Sequence, residues 1–303
     1  MFRRALPFLL ATPALAQNRP LRLIIAFPPG GSTDVLGRLI APVMSALLGQ
    51  PVVPENRSGA AGAVASGYVA AAAPDGQTIL LDSGGHAVNP YLMRGLGFDY
   101  VTGFAPITLL ATLPLVLVTQ RSTLAELLAI PTPSYGSVGV GSRTHLAAAL
   151  LLRRAGVSGT HIPYRGGADQ ITAQLRGETD FGFSSIALTS ALLREGRLRA
   201  LAVSSAARAQ VLPEIPTIAE QGFPDFSMID WLALHAPAQT PEPVVARIAQ
   251  AARAAMAEPA LQPRLADLGL QADAQGPAAL VAFLEEERAA MAALIAAERI
   301  RLD

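Results

Sequence analysis

The stretch FPPGGSTD at residues 27–34 lies between two segments of different periodicity. Residues 21–27 (LRLIIAF) form a nearly uninterrupted apolar run, which is typical of a buried parallel strand. Beyond the stretch, apolar pairs recur about every four residues, which predicts an amphipathic helix. We expect Ser32, Thr33 or Asp34 to cap that helix. The free N–H groups at the start of the helix then lie next to the two glycines, whose flexible backbone allows a ligand to come close. The stretch therefore predicts an anion-binding turn.

The predicted turn has no cationic side chain, which favours reversible carboxylate binding over phosphate chemistry. A second glycine turn, SGGHAVNP at 83–90, follows a predicted strand at 77–82. The sequence SVGVGS at 137–142 then repeats the strand, glycine turn and serine cap before a predicted helix at 143–155. Alternating strands and helices predict an α/β fold with doubly wound parallel sheets, whose ligands bind at the carboxyl ends of the strands.

Composition narrows the possible functions. The chain has 303 residues, enough for two domains, and all 23 basic residues are arginine. Without lysine, a Walker A phosphate loop and a Schiff base are excluded. A formal net charge of zero and only 5% aromatic residues argue against nucleic-acid binding. Because the chain has no cysteine, it forms neither disulfides nor thiolate metal sites.

The first sixteen residues have the pattern of a secretory signal peptide. Arg3 and Arg4 precede an apolar stretch at 5–15, and the small residues of ALA at 14–16 provide a cleavage site before Gln17. The apolar stretch is too short to span a bilayer. We therefore expect export to the periplasm, with the Sec and twin-arginine routes both open.

Two linkers divide the remaining chain into a discontinuous first domain and an inserted second domain. We expect domain 1 to comprise 17–120 plus 231–303 and domain 2 to comprise 121–230. Near the first linker, Pro114 separates two predicted strands at 105–112 and 115–119. The alanine-rich helices predicted after residue 241 have one apolar face each, and we expect them to pack back on domain 1.

Several short motifs follow one another along the chain. They include RPLRLIIAFPPGGSTD at 19–34, LGQPVVPENRSG at 48–59, APDG at 73–76, YGSVGVGS at 135–142, HIPYRG at 161–166 and APAQTP at 236–241. In this order the motifs resemble the substrate-binding receptors of the tripartite tricarboxylate transporter family, the Bug-type receptors. The resemblance covers essentially the whole mature chain. One departure is Arg165, which stands where the family usually has lysine.

The resemblance implies a two-domain, periplasmic-binding-protein-like (type II) fold with a hinge between its lobes. Such a receptor captures a small carboxylate metabolite between the lobes and delivers it to the membrane subunits of a transporter. It implies a monomer that docks transiently, with no cofactor, no metal site, no catalytic residue and no nucleic-acid partner. The ligand-binding residues expected from the glycine turns and the resemblance are Phe27, Pro29, Gly30, Gly31, Ser32, Thr33, Ser83, Gly84, Asn89, Ser137, Gly139, Gly141, Ser142, His145, Tyr164 and Arg165.

Two other functions remain open at this point. The same fold could serve a ligand-loaded sensor that docks on a signalling receptor, or, more remotely, an enzyme. No G-x-S-x-G elbow, zinc-binding H-E-x-x-H helix or convincing carboxylate pair supports an enzyme. The sequence also leaves open which acid binds, whether a tricarboxylate, a dicarboxylate, an acidic amino acid or an aromatic acid.

Overall fold

The computed structural model describes residues 19–298, so the predicted signal peptide at 1–16 lies outside the described residues. The strands are β1 (Leu21–Ile25), β2 (Val52–Asn56), β3 (Thr78–Ser83), β4 (Phe104–Thr119), β5 (Ser134–Ser137), β6 (Thr160–Pro163), β7 (Phe181–Ser185), β8 (Arg199–Val203), β9 (Ile229–Pro237) and β10 (Gln271–Ala272). The helices are α1 (Ser32–Leu48), α2 (Ala63–Ala70), α3 (Gly85–Leu92), α4 (Leu124–Leu128), α5 (Arg143–Arg154), α6 (Gly167–Leu175), α7 (Ile186–Arg194), α8 (Glu242–Met256), α9 (Gln262–Asp267) and α10 (Pro277–Glu298).

The predicted parallel pairing is confirmed in two places. In the first half of the sheet, β1 pairs in parallel with β2 and with β3. In the second half, β5 pairs in parallel with β6 and with β7. Strands β1 and β3 are buried along most of their length, as expected for apolar strands covered by helices on both faces.

The expected parallel pairing does not extend through the centre of the sheet, which is antiparallel. The strand order is β2-β1-β3-β9-β4-β7-β5-β6, and β9 runs antiparallel to both β3 and β4. Strand β4 is also antiparallel to β7 and β8. The segment that leads from β8 to β9 contains a three-residue 3₁₀ helix and no α-helix, so β9 enters the centre of the sheet without the helical crossover that is typical of parallel pairs.

Strand β4 links the two halves of the sheet without a break. The sequence predicts two strands around Pro114, but the structure has one strand of 16 residues. Pro114 pairs with Ile229 of β9, and the next residue, Leu115, pairs with Ser185 of β7. Proline is tolerated where a strand changes partner, because the hydrogen-bond ladder is interrupted there.

The two largest hydrophobic clusters of the described residues lie on different halves of the sheet. One packs α1 and α8 against the first half, with Leu36, Met44 and Leu234 fully buried. The other packs α5 against the second half, around Leu151 and Phe183. The two halves of the sheet therefore have separate cores.

The C-terminal helix contacts both halves of the sheet, which corrects the expectation that it packs on domain 1 alone. Its first part buries Leu280 and Leu284 beside Trp231. Its later part buries Met291 in the core around α5. Within residues 19–298, no helix is long and apolar enough to cross a membrane. The domain boundaries near 120 and 231 stay a prediction.

Candidate ligand-binding site

The turns that follow the parallel strands meet around a narrow cavity of about 50 Å³. Its wall is formed by Phe27, Pro28, Gly31, Ser32, Thr33, Ser83, Leu115, Val138, Ser142, Arg143, Thr144, Gly167, Ser184, Ser185, Leu188 and Asp230. These residues come from both halves of the sheet. A wider surface groove of about 1090 Å³ lies between α7, β8 and α9 and includes none of the predicted ligand residues. The narrow cavity is therefore the candidate site.

Four helices begin at the wall of this cavity. They are α1, α5, α6 and α7, whose first residues are Ser32, Arg143, Gly167 and Ile186. The first N–H groups of a helix have no partner within the helix, and its dipole is positive at that end. Four such ends around one cavity favour an anion over a neutral ligand.

The turn before α1 is held by Asp34 rather than capped by a side chain. The N-cap is Gly31, and no side-chain hydrogen bond caps the helix, so the expectation that Ser32, Thr33 or Asp34 is the cap is wrong. Extended backbone at Gly31 already places Ser32 in the first helical turn. Asp34 accepts a hydrogen bond from the Gly30 N–H at 3.0 Å, which fixes the turn.

The turn before α5 has the predicted serine cap. Ser142 is the N-cap, and its hydroxyl accepts a hydrogen bond from the His145 N–H at 3.3 Å. The same hydroxyl donates to the Gly139 carbonyl at 2.7 Å. Gly139 and Gly141 have φ values of +119° and +83°, in the region that favours glycine. The repeated glycine pattern therefore builds a tight turn that closes with Ser142 at the cavity.

Arg143, the residue after that cap, places a cation in the wall of the cavity. The sequence analysis did not include this residue in the site. Its side chain is only 2% exposed, and its Nη2 forms an ion pair with Glu287 of α10. Its Nη1 contacts the sulfur of Met291 at 2.8 Å. Glu287 also accepts a hydrogen bond from the indole N–H of Trp231 at 2.9 Å. Burial lowers the pKa of Arg143 to about 10, and Asp230 opposes that shift, so the guanidinium stays protonated near neutral pH.

Asp230 is the second charged residue in the wall. One carboxylate oxygen, Oδ1, accepts hydrogen bonds from the backbone N–H groups of Gly84 and Trp231, both at 2.9 Å. The side chain is half-buried. Burial raises the pKa of Asp230 above its usual range, while the Arg143 charge and the two N–H groups lower it.

Six of the sixteen predicted ligand residues line the cavity. They are Phe27, Gly31, Ser32, Thr33, Ser83 and Ser142. Each belongs to a turn at the carboxyl end of β1, β3 or β5. The structure therefore brings the glycine turns after β1 and β5 together at one cavity with the end of β3, while the ligand-binding role of these residues stays a prediction.

Four predicted residues lie at the rim or on the surface and not in the wall. Pro29 and Gly30 are exposed at the tip of the first turn, and Arg165 is exposed beyond β6. Tyr164 lies beside Gly136, where an added methyl group would be 3.2 Å from the tyrosine ring. These residues belong to the turns after β1 and β6, outside the wall of the cavity.

Gly139, Gly141, Ser137 and His145 lie one layer behind the wall. The Ser137 hydroxyl bonds with His161 Nε2 at 2.7 Å, and His145 Nδ1 accepts from the Gly141 N–H at 3.1 Å. The two histidine rings stack with centroids 4.0 Å apart. Burial lowers the pKa of His145 to about 3 and that of His161 to about 4. These neutral side chains support the turn from behind.

Gly84 and Asn89 also lie behind the wall. The N–H of Gly84 is taken by Asp230. The Asn89 amide donates to the Ala61 carbonyl at 3.1 Å and to the Tyr100 hydroxyl at 2.9 Å. Asn89 is fully buried and ties α3 to neighbouring segments, which explains why it does not reach the cavity.

Sequence reasoning missed five polar residues of the wall: Arg143, Thr144, Ser184, Ser185 and Asp230. A local signal existed for the serines, because they end a strand and directly precede a helix, and Ser142 also directly precedes a helix. Arg143 could have been noticed as the first residue of a predicted helix. Asp230 had no local signal, because its partner Gly84 is 146 positions away in the sequence.

Comparison with known proteins identifies the family of this chain. The family model described as "Tripartite tricarboxylate transporter family receptor" matches residues 36–300. A protein from the tcbD-tcbE intergenic region of Pseudomonas sp. (strain P51) is 36% identical over 280 residues, covering 89% of this chain and 83% of that protein. Protein BugT of Bordetella pertussis is 35% identical over 250 residues, covering 78% of this chain and 77% of BugT.

Solved structures show the same architecture. MatC from Rhodopseudomonas palustris with bound malate is 31% identical, with a TM-score of 0.86, covering 91% of this chain and 99% of that one. A second R. palustris protein, with adipate, is 31% identical with a TM-score of 0.90, covering 95% of this chain and 99% of that one. The chain therefore belongs to the tripartite tricarboxylate transporter family receptors, which are periplasmic solute-binding proteins of α/β fold.

Proposed function

We propose that this protein binds a small carboxylate in the narrow cavity and delivers it to a tripartite tricarboxylate-type membrane transporter. The observation that carries the proposal is the convergence of four helix N-termini on one cavity. Two relatives of the same architecture were solved with malate and with adipate, which are both carboxylates. The family supports a site of action in the periplasm.

The strength of binding can be estimated from the groups around the cavity. Each helix N-terminus contributes about 0.3–1 kcal/mol, so four contribute at most about 4 kcal/mol. A micromolar receptor needs about 8 kcal/mol. Hydrogen bonds to a charged ligand contribute about 1.5–3 kcal/mol each, and the cavity offers serine and threonine hydroxyls besides its N–H groups. Because association itself costs about 4–15 kcal/mol, micromolar binding needs several such hydrogen bonds in addition to the four helix ends.

We propose that the ligand is enclosed by closure of the two lobes. Ser32 and Ser83 belong to the predicted domain 1, while Ser142 and Ser185 belong to the predicted domain 2. Strands β4 and β9 connect the two halves of the sheet next to the cavity, through Leu115 and Asp230. Hinge closure at such connections is a common way for binding proteins to enclose a ligand.

Calorimetric titration of the mature chain with malate, succinate, adipate and citrate tests carboxylate binding. We expect at least one acid to bind with micromolar affinity. Ser32→Leu should weaken its binding about tenfold or more, because overpacking a closed cavity costs about 1–3 kcal/mol. Arg94→Ala is the control, because Arg94 is exposed, lies outside the wall and is not one of the predicted ligand residues. No binding of any acid, or unchanged affinity in Ser32→Leu, would contradict the proposal.

Delivery requires a separate experiment. Right-side-out vesicles that contain the transporter subunits are incubated with the purified receptor and a radiolabelled acid. We expect uptake of the acid only with the loaded receptor present. If the loaded receptor instead binds a signalling kinase and supports no uptake, the transport part of the proposal is wrong and the sensor function is favoured.

A further inference from the structure

We infer that the ligand carries an ammonium group besides its carboxylate, and that Asp230 binds this ammonium group. The inference rests on the proposed function, because it assigns a ligand class to the same cavity. The preferred ligands are then amino acids rather than plain dicarboxylates. Three features support it: the charges of the wall, the hydrogen bonds of Asp230 and the polar groups that face it.

Together, the charged residues of the wall and the Glu287 carboxylate behind it carry one more negative than positive charge. Arg143 and Asp230 are the charged residues among those that line the cavity in the described chain. Arg143 already has a direct partner in Glu287, which lies outside the wall, so that pair is neutral overall. Asp230 has no direct ion pair with any residue in 19–298. A carboxylate ligand alone would add a second negative charge beside it.

The Asp230 carboxylate keeps one oxygen for a ligand. Its Oδ1 accepts both backbone hydrogen bonds, from Gly84 and from Trp231. No donor within the described part of the chain bonds to Oδ2. The residue lines the cavity and is half-buried, so a ligand donor can reach the carboxylate. A carboxylate in this position fits an ammonium group, which supplies both hydrogen-bond donors and the compensating charge.

Unpartnered hydroxyl groups indicate where the other end of the ligand lies. Ser184 and Ser185 are more than nine-tenths buried and line the cavity, yet neither hydroxyl bonds to a described residue. Buried polar groups are costly unless they bond, so these hydroxyls are expected to donate to a ligand. They lie at the start of α7, where the helix dipole favours a negative group. The carboxylate of the ligand therefore belongs near α7, and its ammonium group near Asp230.

A hydroxyl group on the ligand would fit less well than an ammonium group. A hydroxy acid could donate one hydrogen bond to Asp230 but would leave its negative charge uncompensated. Burying an uncompensated carboxylate next to a carboxylate ligand is unfavourable in a closed cavity. Charge balance therefore favours the amino acid.

Matched pairs of acids test the inference by calorimetry on the full mature chain: aspartate against succinate, glutamate against glutarate, and 2-aminoadipate against adipate. Malate is added as the hydroxy analogue of succinate. We expect the amino acid of at least one pair to bind about 10- to 100-fold more tightly than its partner, as for a charged hydrogen bond. Asp230→Asn should abolish this preference, because asparagine keeps an acceptor for Gly84 and Trp231 but has no charge.

Asp267→Asn is the matched control, because it makes the same chemical change at an exposed residue outside the cavity. It should keep the preference of the wild type. Thermal unfolding of Asp230→Asn shows whether the variant is folded, and its binding of the plain dicarboxylate provides a second check on the site.

The outcomes separate this inference from the proposed function. If each of succinate, glutarate and adipate binds at least as tightly as its amino analogue, the inference is wrong and carboxylate binding still stands. The same holds if malate exceeds both succinate and aspartate, or if Asp230→Asn keeps the preference for the amino acid. If none of the acids binds to wild-type protein, the proposed function itself fails.

Discussion

Gly84 lies where the side chain of Arg143 crosses the backbone between β3 and α3. A methyl group at Gly84 would collide with Arg143 Nε and would be 2.6 Å from its Cγ. Gly84 has helical φ and ψ values of −53° and −18°, so its backbone alone would accept alanine. The absence of a side chain at this position therefore allows Arg143 to reach Glu287.

Gly84→Ala should lower the free energy of unfolding by about 1–3 kcal/mol, because the new methyl group overpacks a buried contact. Urea unfolding measures the change. Gly97→Ala is the control, since Gly97 is exposed and a methyl group there has no atom within 4 Å. Its effect should stay within about 0.5 kcal/mol. Equal effects of the two substitutions would show that Arg143 does not need the space beside Gly84.

At the scale of the elements, the turns before α1 and α5 look alike in sequence but are stabilised differently. Ser142 caps α5 with its side chain, whereas Gly31 precedes α1 without any side-chain cap. The α1 turn depends instead on the bond between Asp34 and Gly30. Serine at the two turns therefore has different structural importance, although both serines line the cavity.

Ser142→Ala should lower the free energy of unfolding by about 0.5–2 kcal/mol, the usual cost of losing an N-cap. Ser32→Ala should change it by less than about 0.5 kcal/mol, because no cap is lost. Chemical unfolding of both variants without ligand makes the comparison. A loss of stability in Ser32→Ala that equals the loss in Ser142→Ala would mean that Ser32 also holds its helix.

The stretch 83–90 shows where local patterns failed at this scale. Its two glycines and Pro90 predict a turn, but α3 begins at Gly85 and includes Pro90. Ala87 and Val88 are fully buried, and this burial outweighs the low helix propensity of glycine and proline. Tertiary packing, which a local pattern does not contain, decides such a segment.

At the scale of the whole molecule, the four histidines form two stacked pairs inside the two halves. His86 stacks on His235 with centroids 4.1 Å apart, and His145 stacks on His161 at 4.0 Å. Burial lowers the pKa of His86 to about 3 and that of His235 well below its usual value. Burial also lowers the pKa values of His145 and His161, the second pair.

Acid should therefore destabilise the protein below about pH 6.5, the usual pKa of an unfolded histidine. As the pH falls from 6.5 towards 4, the unfolded chain binds protons that the folded histidines do not, so the free energy of unfolding decreases. Burial raises the pKa of Asp82 to about 6 and that of Asp230 above its usual range, so these two carboxyl groups act in the opposite direction and offset at most two of the four histidine protons. Each unopposed histidine contributes a slope of up to about 1.4 kcal/mol per pH unit.

Urea unfolding at pH 7.5, 6.5, 5.5 and 5.0 measures this dependence. His161→Gln is the informative variant, because glutamine can still bond to Ser137 but does not titrate. The slope of its free energy of unfolding against pH should be smaller than that of the wild type by the contribution of one proton, up to about 1.4 kcal/mol per pH unit. A free energy of unfolding that stays constant from pH 7.5 to 5.0 would contradict the prediction.

The sequence by itself determined the strand, turn and helix units that begin with β1 and β5, and the receptor family of the chain. Hydrophobic periodicity, glycine and serine act over a few residues, so the turn at 27–34 and the serine cap of α5 can be predicted locally. Only the tertiary structure decided which charges meet at the cavity. Arg143 and Glu287 are 144 positions apart, and Gly84 and Asp230 are 146 positions apart. Such contacts depend on how the antiparallel strands β4 and β9 join the two halves of the sheet, which no local pattern encodes.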